Sequence, residues 1–189
     1  MGIQDEISRA LEVLNRGGII LYPTDTVWAI GCDATKPEAV SKILELKQRK
    51  ESKGLVVLVD IPSRITSYVR EVPEMAWDLV ELADKPLTII YPGAKNLASN
   101  VVTPDGSIGI RVVSSSFCQR LAARFKRPIV STSANVSGKP TPKSFDEIEG
   151  IIKTGVDFVV PQEFDNPVSS KPSSVIRLGL TGEIEIIRH

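Results

Sequence analysis

Short apolar runs alternate with stretches of helical period along almost the whole chain, and this alternation limits the fold more than any other feature. Ile3, Ile7, Ala10, Leu11 and Leu14 follow i, i+4, i+7 spacing until Gly17-Gly18, which predicts an amphipathic helix over 3–16. The apolar run at 19–22 stops at Pro23 and is too short for a helix, so it reads as a buried strand. Pro37 suits a first helical turn, and Val40, Ile43, Leu44 and Leu46 carry a helix to about residue 49. Further strands are predicted at 55–59, 87–91, 108–113, 128–131, 158–160, 174–178 and 183–187, and helices near 73–83, 115–126 and 144–153. Such interleaving predicts one α/β domain over residues 1–189, with helices covering a sheet. The last two strands are separated by a few residues including Thr181-Gly182; they read as a hairpin, so the sheet is expected to be mixed.

Composition matters here mainly through what it excludes. The single histidine is His189, so an internal Ser-His-Asp triad, a Cys-His dyad, an HExxH helix and a histidine general base are all ruled out. Cys32 and Cys118 are too few for a disulfide framework or a four-thiolate zinc site, which suits a reduced, cytoplasmic setting. No run of about 20 apolar residues is present and the N-terminal segment carries acids, so neither a membrane span nor a targeting segment is expected. The 23 Lys+Arg balance the 23 Asp+Glu, but not locally: residues 36–53 carry a net charge of +3 and residues 101–145 of +6.

Four segments could carry chemistry. Pro23-Thr24-Asp25-Thr26 places hydroxyls and a carboxylate beyond a strand end, where α/β sheets bind ligands, although an ordinary capped turn has the same composition. Lys47-Gln48-Arg49-Lys50-Glu51-Ser52-Lys53 follows a helix; its cations either offset the helix dipole or face an anion such as a polyphosphate. In Ser107-Ile108-Gly109-Ile110-Arg111 the arginine sits on an otherwise apolar strand, so if it points inward it needs a carboxylate or phosphate. Ser131-Thr132-Ser133-Ala134-Asn135-Val136-Ser137-Gly138-Lys139 follows a buried strand with small donors that let a ligand approach the backbone, and it is not a Walker loop. Serine nucleophiles are disfavoured because no histidine can activate them.

Taken together, PTDTVWAIGCDA, LELKQRKESKGLVVLV, SIGIRV, STSANVSGKPTP and KPSSVIRL resemble, in order and spacing, the YrdC/TsaC family, over nearly the whole chain. The resemblance implies a twisted mixed β-sheet flanked by helices, with a concave ligand cleft. It also implies a nucleotidyltransferase that joins L-threonine, bicarbonate and ATP into threonylcarbamoyl-AMP and pyrophosphate, for the t6A modification of tRNA. On the matching positions, Thr24, Arg111, Ser131 and Ser173 would hold threonine. Lys47, Arg49, Lys53, Ser107, Ser133, Asn135, Thr141 and Arg188 would hold ATP, with Mg2+ arriving on the nucleotide and no metal ligand from the protein. Proteins that pass the adenylate onward, and tRNA, are implied as partners. The chain departs from the family pattern at Trp28, Ala29, Lys50 and Gly54, and it carries Leu58 where relatives with a further domain often have histidine. Two other readings remain. One is an RNA-binding or ribosome-associated module without turnover, using Arg124, Lys126 and Arg127; the other is the carbamoyl transfer of hydrogenase-maturation proteins, which the missing acylphosphatase and zinc-finger segments disfavour. On sequence alone, Arg49→Ala and Arg111→Ala are both expected to fold normally and lose activity.

Overall fold

A computed structural model describes residues 2–49, 55–165, 167 and 171–189. In chain order the elements are α1 (Ile3–Asn15), β1 (Ile20–Tyr22), β2 (Ala29–Gly31), α2 (Pro37–Leu46), β3 (Val56–Val59), α3 (Ile65–Tyr68), α4 (Met75–Leu82) and β4 (Leu87–Tyr91). After these come β5 (Ile108–Val112), α5 (Ser116–Phe125), β6 (Ile129–Ser133), α6 (Gly150–Gly155), β7 (Phe158–Val159), β8 (Ser174–Leu178) and β9 (Ile184–Arg188). The strands form one sheet in the order β7-β1-β2-β6-β3-β5-β4-β8-β9. It is mixed, as expected: β1/β7, β3/β5 and β4/β8 run parallel, the other neighbours antiparallel, and β8/β9 is the anticipated hairpin.

Alternation along each strand sorts the apolar side chains onto two faces. Leu21, Ile30, Val57, Val59, Ile89, Ile110 and Val130 pack beneath α2, α3, α4 and α6 through Val40, Ile43, Ile65, Ala76 and Ile152. Ile20, Tyr22, Ala29, Leu58 and Ile129 pack on the other face against α1 and α5 through Ile7, Leu14, Phe117, Leu121 and Phe125. That second layer reaches only from β7 to β3. On the same face β5, β4, β8 and β9 contribute no residue of their own to the buried cluster, so among the described residues the sheet lies open there as a concave floor.

The sequence reading passed over β2 because the Thr-Asp-Thr turn and Gly31 break up so short a run. Its register explains why Gly31 is needed: a Cβ there would lie 2.6 Å from the Tyr22 ring and 2.7 Å from the Val130 carbonyl oxygen. The helix expected over 144–153 forms only as α6, since residues 144–149 turn past Phe145, which packs against Trp28 with ring centroids 4.9 Å apart.

Both thiols are buried, and burial pushes Cys32 up strongly and Cys118 up to about 12, with the Asp25 charge adding to the latter. Neither should react with a disulfide reagent at pH 8 until denaturant is added. A thiol raised in the fold from 9.0 stabilises fully below that value and loses its contribution as pH rises through it, so the thiols' contribution should fall above about pH 9. Lys47, lowered from 10.5 to about 8, acts in the opposite sense between those two values and largely offsets the thiols up to about pH 10, beyond which their loss dominates. A denaturant titration at pH 9 and at pH 11 checks the sign.

Candidate functional site

The open floor is set by strand register. Ser131, Val56, Gly109, Ile90 and Arg177 lie side by side across β6, β3, β5, β4 and β8. In the neighbouring row Leu58, Arg111, Thr88, Val175 and Arg188 lie across β3, β5, β4, β8 and β9. The polar strand residues therefore emerge on one face because they share the same parity. A cleft of about 840 Å³ stands over Val56, Gly109, Thr88 and Val175. It adjoins, along Val56 and Arg188, a smaller cavity of about 150 Å³.

The smaller cavity gathers eight residues singled out in the sequence: Thr24, Arg49, Arg111, Ser131, Ser133, Thr141, Ser173 and Arg188 all line it. Thr24 and its neighbours form a tight turn at the end of β1. The Thr24 hydroxyl donates to the Val27 carbonyl at 2.7 Å and accepts from the Thr26 amide at 3.0 Å. With its proton committed, it can only accept from a ligand or from the Thr26 hydroxyl 3.0 Å away.

Arg111 points inward, and the carboxylate it finds is Asp25 of the same turn: Nη2 lies 3.0 Å from Oδ1, both side chains being buried. The pair lacks a well-aligned hydrogen bond, and among the described residues Arg111 Nε has no partner, so the guanidinium keeps donor capacity for a ligand. Across the cavity the Ser173 hydroxyl bonds Thr88 at 2.8 Å, and Arg188 donates from Nε to the Ser173 carbonyl at 3.0 Å. Partial burial and the charge of Arg111 both lower the Arg188 pKa. Among the described residues Arg188 has no carboxylate partner, so Asp25 offsets only the Arg111 charge and the cavity favours an anion.

The KQR segment is shaped by the end of α2. Gln48 takes the left-handed conformation with φ 52°, its amide bonds the Glu45 carbonyl at 2.9 Å, and the Arg49 amide bonds the Leu44 carbonyl at 2.8 Å. This is a Schellman stop with glutamine where glycine is usual. It separates its neighbours, sending Arg49 to the cavity while the Lys47 side chain is buried. Gln48→Gly should relieve about 1 kcal/mol of backbone strain, raising the melting temperature by roughly 2–4 °C; an unchanged or lower value would mean that Gln48 makes compensating contacts.

Three predicted residues lie apart from the small cavity. Lys47 sits beneath the loop after β6, and the Asn135 side chain turns back within that loop to the Lys139 carbonyl. Ser107 lines the larger cleft, but its hydroxyl is 2.7 Å from both Asp105 Oδ1 and the Thr103 hydroxyl. Hydrogen bonds from Ser107, Thr103 and Arg177 hold the Asp105 carboxyl well below the usual carboxylate range. Lys53 falls outside the described residues.

The sequence motifs do not mark Thr88, Ala29 and Gly109 as cleft residues, though they line the two cavities. Thr88 carried the signal that exposed Arg111, a polar residue on an apolar strand. Trp28 faces away from the cavity and donates from Nε1 to Asp165 at 2.8 Å. Of the cations proposed for RNA, Arg124 bonds Gln4 and Ser8, and Arg127 pairs with Asp33 at 2.8 Å.

Comparison with known proteins covers the region that holds these segments. Residues 12–189 fit the family model for Sua5, YciO and YrdC, described as telomere recombination. A threonylcarbamoyl-AMP synthase of Hahella chejuensis is 34% identical over 94% of this chain and 96% of its own. A protein of the same name from Escherichia coli K12 is 32% identical over 96% and 95%. Among solved structures, E. coli YciO superposes with a TM-score of 0.83 at 26% identity, covering 98% of this chain and 89% of its own. Pyrococcus abyssi Sua5 complexed with L-threonine gives 0.83 at 25% identity over 91% of this chain, which spans 50% of that longer protein. By family model, sequence and fold together, the chain belongs to the Sua5/YciO/YrdC family.

Proposed function

We propose that this cleft makes threonylcarbamoyl-AMP and pyrophosphate from L-threonine, bicarbonate and ATP. The observation that carries the reading is the convergence of the Thr24 turn, Arg111, the loop after β6 and Arg188 on one cationic cavity beside a larger cleft. The curated relatives that match over nearly their whole length bear the corresponding name, and a Sua5 structure contains L-threonine.

In this reading the small cavity takes the amino acid. Arg111, oriented from below by Asp25, offers its remaining donors to the carboxylate, and Ser131, Ser173 and the Thr24 oxygen surround the polar groups. The threonine amine and bicarbonate give a carbamate with loss of water. A carbamate oxygen then attacks the α-phosphorus of ATP, and the bond to the β-phosphate oxygen breaks to release pyrophosphate. No protein nucleophile is needed, only alignment and neutralisation of charge on phosphorus. Arg49, Ser133, Thr141 and Arg188, which line the cavity, would face the phosphates together with Lys53, while Lys47 and the Asn135 side chain would support the loop after β6. The adenosine rests on the Val56, Gly109 and Val175 floor past Ser107.

Mg2+ would arrive with the triphosphate; among the described residues no group of three or more His, Cys, Asp or Glu is placed to hold a metal. Among those residues no helix is long and apolar enough to cross a membrane, and we place the reaction in the cytoplasm, feeding t6A transfer proteins and tRNA. Purified protein should release pyrophosphate from ATP only when threonine and bicarbonate are both present. Release independent of threonine would reject the reading.

A further inference from the structure

Lys47 is 2% exposed at the end of α2, yet no carboxylate meets it among the described residues. Its ammonium donates instead to the main-chain carbonyls of Ser133 and, at 2.6 Å, Asn135. Its own carbonyl accepts the Ser137 amide at 2.9 Å. The turn is closed further by the Asn135 amide on the Ser133 carbonyl at 2.9 Å and by the Asn135 side chain, which donates to the Val136 and Lys139 carbonyls at 3.0 and 2.8 Å. Lys47 is absent from the walls of the small cavity, whereas Ser133, held by Lys47, lines it.

We propose that Lys47 is a positioning residue, which clamps the turn at residues 133–137 from beneath and acts on the bound nucleotide through that turn without touching it. A buried ammonium that meets only carbonyl dipoles is costly and persists where it secures something else. Burial and, secondarily, the Arg49 charge pull it down to about 8. A triphosphate bound on the far side of the turn would supply the missing negative charge. Two of its three N–H donors are spent on carbonyls that fix the direction of the loop, so a move to a phosphate would release the turn. The part of the inference that concerns the nucleotide rests on the synthase reading; the clamp itself does not.

Hydrogen exchange on the ligand-free protein separates the two. In Lys47→Met, which keeps the length of the stem and removes donors and charge, amides 134–137 should exchange at least tenfold faster while the helices keep their protection. In turnover, KM for ATP should rise and kcat fall, with KM for threonine changed less than threefold. Adding n-propylammonium to Lys47→Ala should restore loop protection saturably. Unchanged exchange in a folded Lys47→Met protein overturns the clamp. Should that variant fail to fold, a structure of the wild-type protein with a non-hydrolysable ATP analogue decides. The ammonium remaining on the Ser133 and Asn135 carbonyls supports the proposal, and its transfer to a phosphate oxygen overturns it. Absence of threonine-dependent pyrophosphate release in the wild-type enzyme would reject the synthase reading and leave the exchange result standing.

Discussion

Arg111→Ala loses catalysis and also melts early. The sequence suggested a variant that folds normally, because a strand-end arginine facing a ligand can be removed without harming the core. The Asp25 contact changes that expectation: removing the guanidinium leaves a fully buried carboxylate with no counter-charge, a loss of about 3–5 kcal/mol. In the proposed reading threonine loses its carboxylate fork in the same step, and kcat/KM should fall by about 10²–10³. Asp25→Leu combined with Arg111→Met separates the two effects, since an apolar pair of similar volume should regain most of the stability and none of the activity. If Arg111→Ala melts with the wild type, the Asp25 pair contributes little and Arg111 acts only on the ligand.

Gly109→Val should have the next largest effect, and of the opposite kind. Gly109 lies in the middle of the floor, and a Cβ added there would meet the Thr88 methyl at 3.3 Å and a Val56 methyl at 3.5 Å, contacts that small shifts can absorb. The strand accepts a β-branched residue, so stability should change by less than about 1 kcal/mol. The added methyls project into the larger cleft where the adenosine is placed. KM for ATP should rise at least tenfold, KM for threonine should change little, and Gly109→Ala should fall between. Equal effects on both substrates would place the nucleotide elsewhere.

These two residues illustrate what was legible in the sequence. The apolar run at 108–113 identified the strand, and a charge within it marked Arg111 as needing a partner. That the partner is Asp25 was not legible, because β1 and β5 are separated by β2, β6 and β3 in the sheet and the approach depends on the turn after β1. Thr88 is polar on an apolar strand, the same signal that marks Arg111, whereas nothing local distinguishes Gly109, facing a bare floor, from a strand residue facing a helix. Only the limited reach of α1 and α5 across the sheet decides that. Likewise Lys47 and Arg49 look equivalent in a basic cluster, and the left-handed Gln48 between them directs one beneath the loop and the other into the cavity. Helix existence was readable wherever the 3.6-residue period was clean. The misplaced helix at 144–153 failed because Phe145 satisfies its apolar character against Trp28 without helical structure.

In the proposed reading, one cationic cavity and its adjoining cleft join a carbamate to the α-phosphate of ATP. Incubating the purified protein with ATP, Mg2+, L-threonine and ¹³C-bicarbonate, and quenching for mass spectrometry, tests it most directly. A threonylcarbamoyl adenylate carrying one ¹³C should form together with pyrophosphate and be lost in Arg111→Ala. ATP breakdown with no ¹³C in any adenylate would contradict it.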